Sequence, residues 1–227
     1  MPTLADLRNA VDTLLGLPTI PSVLQLNSNT RERAFEAYVF SLVVQAVRRA
    51  GGSAELRGVT SGANPNPAIF RGAPGYMGST AQDFCFARCV LGTKEFEVHV
   101  DVIYVGGSGA THEIDVSLCD RSTADAVRQT AGLQPGTRGL RAAFECKFYD
   151  SNLGTALGRA FVGLVSDCGQ LKVKNFVTNG QSQGLARYFS KSNGPQAYFR
   201  VSPLVTTDAD RLVSNIEQAL RQWASVG

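Results

Sequence analysis

The clearest feature of the sequence is a regular alternation of apolar and polar residues in the middle of the chain. It runs through residues 95–105, 112–119 and 142–149, and a period of two gives a β-strand one core side and one polar side. The apolar residues of the first two stretches are Phe96, Val98, Val100, Val102, Ile114, Val116 and Leu118. This pattern predicts three strands in an antiparallel meander, with these apolar side chains facing one core. A strand-like stretch at 83–91 precedes them, joined by the hairpin-like connection Gly92-Thr93-Lys94.

Apolar residues that recur three and four positions apart predict a helix at residues 31–50. Apolar side chains cover most of its circumference, which is typical of a buried helix, and Gly51-Gly52 ends it. Helix and strand patterns then alternate along the rest of the chain. The predicted helices are at about 155–167, 181–190 and 208–224, and the predicted strands are at 173–178 and 197–202. The expected fold class is therefore α/β, with a mixed β-sheet flanked by helices.

The length and composition favour a single domain. The chain has 227 residues and a hydrophobic fraction of 44%, which suits one compact domain with a sizeable core. We expect the core of this domain at about 31–178 and a C-terminal strand and helix extension at about 179–227. Prolines and glycines at 60–80 predict a long loop within the domain rather than a linker.

Net charge and hydropathy limit the partners and the cellular location that we expect for the chain. The net charge of +3 is compatible with a phosphate-bearing partner but does not require one, because a strong electrostatic footprint needs a denser basic patch. No stretch approaches the roughly 18 apolar residues of a membrane span, and residues 1–21 lack the pattern of a secretory signal. The expected location is the cytoplasm, without membrane association.

The five cysteines predict reduced and mostly buried thiols rather than disulfides. Their number is odd and they contain no CxxC pair, whereas a disulfide framework has an even, clustered set. A zinc site that combines Cys85 and Cys89 with His99 or His112 is the alternative.

Charged residues on two of the predicted strands are the candidate chemistry. Alternation places Glu145 and Lys147 on the polar face of the strand 142–149, and Asp115 on the face opposite Ile114 and Val116. If the apolar faces of both strands meet the same core, two carboxylates and an ammonium group converge. Such an oxygen-rich, incomplete cage suits Mg²⁺, which keeps several waters and accepts substrate phosphate as a further ligand.

This constellation resembles the PD-(D/E)XK nuclease superfamily, which includes restriction endonuclease-like proteins and Holliday-junction resolvases. The resemblance is carried by Asp115, followed thirty residues later by Glu145-Cys146-Lys147 on a strand. The predicted order of elements, a helix, a three-strand meander, a helix and a strand, is also similar to the restriction endonuclease-like core. No proline precedes Asp115, cysteine occupies the usually aliphatic X position, and the following helix has no Gln-x-x-x-Tyr motif.

The resemblance implies a role for each matching residue. Asp115 would be the central metal ligand, Glu145 the second, and the carbonyl of Cys146 a third oxygen, while Lys147 would position the attacking water. Glu36 stands where this family often carries a helical acid and would bind the metal directly or through water.

Several neighbouring residues have two interpretations. Asp101, on the polar face of its strand, is a rival metal ligand or a solvated or paired acid. His99 and His112 contact substrate or are satisfied structural histidines, and Arg159 and Lys172 contact substrate phosphate or carry ordinary surface charge.

The expected function is a Mg²⁺-dependent endonuclease, with Mn²⁺ as a substitute cofactor, that hydrolyses phosphodiester bonds. DNA is favoured over RNA as substrate, restriction or phage defence is the expected biological role, and a homodimer is the expected assembly. The alternatives are a catalytically inactive nuclease-like module that binds nucleic acid or protein, and an effector gated by a small ligand. Cleavage that depends on metal and on Glu145 distinguishes the enzyme from the module.

Overall fold

The computed structural model describes residues 1–17, 24–26, 30–130, 132–149, 153–191 and 194–226. Its helices are α1 (Leu4–Leu15), α2 (Arg31–Arg49), α3 (Arg121–Arg128), α4 (Thr155–Asp167), α5 (Gln183–Lys191) and α6 (Thr206–Ser225). Its strands are β1 (Leu24–Leu26), β2 (Ser53–Gly58), β3 (Ala68–Phe70), β4 (Cys85–Leu91), β5 (Lys94–Val105), β6 (Thr111–Asp120), β7 (Leu140–Lys147), β8 (Val173–Thr178) and β9 (Gln196–Tyr198). Within the described ranges, no helix is long and apolar enough to cross a bilayer.

Seven strands form one mixed sheet in the order β2-β4-β5-β6-β7-β8-β9. Neighbours from β2 through β7 are antiparallel, so the predicted meander is present as β5, β6 and β7. β8 and β9 extend the sheet in parallel. β1 pairs separately with β3. β3 lies within the segment predicted as a long loop, and β1 lies before it. The α/β class with a mixed sheet flanked by helices is therefore confirmed.

Helices cover both faces of the sheet. The core on one face, the first core, contains side chains of α1, α2 and α6, and the core on the other, the second core, contains side chains of α3, α4 and α5. α2 is central to the first core because its apolar residues surround the helix, as its pattern predicts. The side chain of Thr30 accepts a hydrogen bond from the backbone of Arg33 and caps the first turn of α2.

The prediction that the alternating residues of β5 and β6 all face one core is wrong. Val100 and Val116 belong to the first core, whereas Val102 and Ile114 belong to the second. The exchange occurs at Asp101, whose φ of 52° is left-handed and interrupts the regular strand conformation. Past this point the free edge of β5 pairs with the loop, because the amide of Gly75 donates to the carbonyl of Asp101.

Two strands end earlier than the sequence patterns predict. The third strand of the meander spans Leu140–Lys147 rather than 142–149, and β9 ends at Tyr198. Arg200, shortly after β9, has a φ of 57°, which an extended strand cannot accommodate.

Candidate metal and active site

The candidate site forms where β6 and β7 separate. The two strands are paired as far as Val116 and Phe144, and β7 then continues beside β8 alone. In the gap, a side-chain oxygen of Asp115 accepts a hydrogen bond of 2.7 Å from the backbone amide of Cys146. The carboxylate therefore takes the place of a strand carbonyl, which fixes the position of Asp115 relative to β7.

Lys147 connects the two acids that the sequence placed beside it. Its Nζ lies 2.6 Å from Oε1 of Glu145 and 3.3 Å from Oδ2 of Asp115. Asp115, Glu145 and Lys147 thus come together, with Lys147 between the two carboxylates. The other side of Asp115 faces α2 and β5.

Glu36, Asp101 and Asp115 form a buried acidic triad. One carboxylate oxygen from each residue lies within 4.8 Å of the other two, and all three residues are buried. The left-handed backbone at Asp101 is what directs its carboxylate toward α2, where Glu36 is located. Because oxygen-rich clusters of this kind suit hard divalent cations, the triad could hold a metal ion.

Arg33 lies against two members of the triad. Its Nη1 atom donates to both oxygens of Glu36, at 2.9 and 3.0 Å, and to both oxygens of Asp101, at 3.1 Å each. Glu36 stands one helical turn after Arg33, so α2 places a carboxylate and a guanidinium group on the same side, facing β5. Two side-chain cations, Arg33 and Lys147, therefore each bridge a pair of carboxylates.

Burial and mutual repulsion perturb the acids. Burial, reinforced by the charges of Asp101 and Asp115, raises the pKa of Glu36 to about 9 against the opposing effect of Arg33. Burial and the charge of Asp115 likewise raise the pKa of Asp101 to about 7, although Arg33 opposes the shift. Burial and Asp115 raise the pKa of Glu145, and Lys147 opposes this. A bound cation would relieve this repulsion between carboxylates.

Lys147 stays charged in this setting. Burial by itself lowers the pKa of an ammonium group, but the charges of Asp115 and Glu145 outweigh it and raise the pKa of Lys147 above its ordinary value. Lys147 can therefore donate hydrogen bonds to a water or an anion, but it is not a base at neutral pH.

The site opens into a cleft of about 760 Å³. Its wall is formed by the start of α2, by Gly72 of the loop after β3, by the first half of β6, and by the end of β7 with the residues that follow it. Glu36, Asp115 and Lys147 line the cleft, as do the aromatic residues Phe148 and Tyr149. A ligand in this cleft can reach Glu36, Asp115 and Lys147 at the same time.

The two predicted phosphate contacts lie elsewhere. Lys172 is exposed just before β8, and its amide bonds to the carbonyl of Arg141, six residues or about 20 Å along β7 from Lys147. Lys172 is therefore at the opposite end of the strand from the cleft. Arg159 is exposed on α4, which packs on the second core, away from α2.

The histidines have structural partners. His99 is buried, stacks on Phe86 with centroids 5.1 Å apart, and contacts Glu97 at 2.9 Å. His112 contacts Asp167 at 2.6 Å. All five cysteines are free and buried, and among the residues that the structure describes only the acidic triad forms a group suited to a metal. The predicted burial of the thiols is confirmed.

Sequence reasoning gave Asp101 a minor part and overlooked Arg33. Asp101 appeared as one polar residue of a regular strand, and its left-handed backbone leaves no signal in the alternation. The pair Arg33 and Glu36 has the i, i+3 spacing of a helical ion pair and could have been found from it.

Comparisons of the chain with protein-family models, curated proteins and solved structures gave no significant match. The function is therefore inferred from the site itself.

Proposed function

We propose that this protein is a Mg²⁺-dependent endonuclease that hydrolyses phosphodiester bonds. The observation that carries the proposal is the contact of Lys147 with Asp115 and Glu145, beside a buried acidic triad and at the wall of an open cleft. Metal-assisted hydrolysis needs ligands for the ion and access for the substrate, and a fixed cation beside them can orient the attacking water.

The donor set fits Mg²⁺ better than a softer metal. Glu36, Asp101 and Asp115 supply carboxylate oxygens only, and the thiol of Cys146 stays protonated because burial raises its pKa well above the ordinary value. The carbonyl of Cys146 and the carboxylate of Glu145 are proposed as further oxygen ligands. When bound, the ion would stabilise the negative charge that develops on the phosphoryl group.

Lys147 would orient the attacking water. Its ammonium group is held by Glu145 and Asp115, and it lines the cleft, so its remaining proton can be donated to a water beside the scissile phosphate. In the reaction, the oxygen of that water would bond to phosphorus while the bond from phosphorus to the leaving oxygen breaks. The proton that the water loses would pass to solvent in the cleft, since Lys147 stays protonated, and the leaving oxygen would take up a proton from solvent. Glu145 acts on this step by fixing the position of Lys147.

The order of elements supports the resemblance to PD-(D/E)XK nucleases. α2 precedes the meander of β5, β6 and β7, and α4 and β8 follow it, with β8 parallel to β7. By this resemblance we propose DNA rather than RNA as substrate, restriction or phage defence as the role, and a homodimer as the assembly.

A cleavage screen tests the proposal. The purified chain is incubated with single- and double-stranded DNA and RNA in Mg²⁺, Mn²⁺ or EDTA. We expect metal-dependent products that disappear in Asp115→Asn and Glu145→Gln, both close in shape to the native residues. Asp210→Asn, at an exposed ion pair with Arg49, is the matched control and should cleave normally. Nucleic-acid binding that both site variants retain, without cleavage in any metal, would identify the inactive module instead.

A further inference from the structure

Arg33 occupies every oxygen of two acids in the candidate metal site. A single nitrogen, Nη1, lies 2.9 to 3.1 Å from both oxygens of Glu36 and both oxygens of Asp101. Asp101 is fully buried, and Glu36 is buried except for its edge on the cleft. Each oxygen of these two carboxylates therefore already accepts a hydrogen bond from Arg33, and another cation would compete with Arg33 for them.

A divalent ion and Arg33 would compete for these oxygens. Mg²⁺ binds oxygen at about 2.0–2.1 Å, so an ion on Glu36 or Asp101 would lie at most about 5 Å from the guanidinium nitrogen. The carboxylates that both cations would contact are buried, and repulsion between charges is stronger there than in water. Arg33, which contacts all four of these oxygens and whose side chain is 23% exposed, is the cation that can move away.

We propose that Arg33 is a built-in counter-cation that the metal displaces from Glu36 and Asp101. This inference rests on the proposed metal site, and it makes metal binding an exchange of one cation for another. Arg33 stabilises the carboxylates before the metal arrives, and its departure reduces the apparent metal affinity.

The structure provides a place for the displaced side chain. Arg33 lies in the first turn of α2, its side chain is 23% exposed, and it lines the same cleft as Glu32 and Gly72. Rotation of the side chain toward the cleft returns the guanidinium to water without any change in the backbone of α2.

The test is a titration of the chain with Mn²⁺, in which free Mn²⁺ is counted by electron paramagnetic resonance. Arg33→Met keeps an unbranched apolar stem and removes the competing charge, so we expect about tenfold tighter Mn²⁺ binding, the factor typical of one charge-assisted hydrogen bond. Arg33→Lys keeps a cation with a less suitable shape and should bind with intermediate affinity. Arg49→Met, in the last turn of the same helix, is the control and should bind as the native chain does.

The outcomes separate this inference from the proposed function. Unchanged or weaker Mn²⁺ binding by Arg33→Met overturns the exchange, whether or not the native chain cleaves nucleic acid. Tighter binding supports the exchange even if no substrate is cleaved, a result that would refute the nuclease alone. If Arg33→Met does not fold without metal, Arg33→Lys decides: an affinity equal to the native one overturns the exchange. Absence of Mn²⁺ binding by every variant refutes both.

Discussion

Replacing Lys147 with methionine tests the centre of the site. The substitution keeps an unbranched stem of nearly the same length and removes the ammonium group that lies 2.6 Å from Glu145 and 3.3 Å from Asp115. The two carboxylates then lose their shared cation, while the hydrogen bond from the amide of Cys146 to Asp115 remains. The change therefore tests the charge of Lys147 and leaves the hydrogen bond that holds Asp115 against β7 unchanged.

The structure sets the size of the expected effect on stability. Breaking a buried ion pair and leaving its partner charged costs about 3–5 kcal/mol. The side chains of Lys147 and Glu145 are 24% and 17% exposed, so water screens part of the loss. We expect a decrease of about 2–3 kcal/mol in the free energy of unfolding without metal, or roughly 5–10 °C in Tm for a chain of this length.

The effect on catalysis should be larger than the effect on folding. Loss of a group that positions the attacking water lowers the rate by about 10²- to 10⁴-fold, and the assay is cleavage of a labelled oligonucleotide at saturating Mn²⁺, well below the Tm. Lys172→Met, at the far end of the sheet, is the matched control. A Lys147→Met protein that is folded and retains more than about a tenth of the native rate would refute the role of Lys147.

Three further predictions concern the metal, the pH and the thiols. Asp101→Asn, which tolerates the left-handed backbone, should abolish the rise in Tm with Mn²⁺, a rise of roughly 5–10 °C at 100 times the Kd in the native chain. Burial by itself would raise the pKa of Glu97, but hydrogen bonds from His99 and Arg128 lower it to about 2. The stabilisation that the ionised Glu97 contributes is therefore complete above about pH 4.5 and is lost as the pH falls toward 2. Urea unfolding should show the stability difference between the native chain and Glu97→Gln narrowing over that range, whereas a constant difference would contradict this reasoning. All five cysteines are buried, so a thiol reagent should label them only after unfolding, and rapid labelling of the native protein would contradict their burial.

Local periodicity was sufficient for most of the elements. The helix predicted at about 155–167 is α4, the strand predicted at 173–178 is β8, and the helix predicted at 31–50 ends one residue earlier. These elements are predictable because each one buries an apolar face that repeats with its own geometry. Helix α1 went unpredicted, although its capping box, Thr3 with Asp6, is visible in the sequence.

The candidate site could be predicted only in part. Asp115, Glu145 and Lys147 were expected to converge and they do, although one premise of that expectation is wrong, because Ile114 and Val116 face different cores. The convergence arises instead from the separation of β6 and β7, which leaves a gap for the carboxylate of Asp115. A pattern of alternation contains no information on where two paired strands part.

The amino-acid sequence alone determined the α/β class, the meander and the three charged residues on its strands. These features follow from local repeats and from residue type, both of which can be seen without coordinates. Tertiary structure alone decided that Asp101 joins Glu36 and Asp115, that Arg33 covers two of these acids, and that Lys172 lies far from the cleft. Such contacts depend on a single backbone rotation at Asp101 and on the packing of α2 against the sheet, and residues far apart in sequence meet only after both are in place.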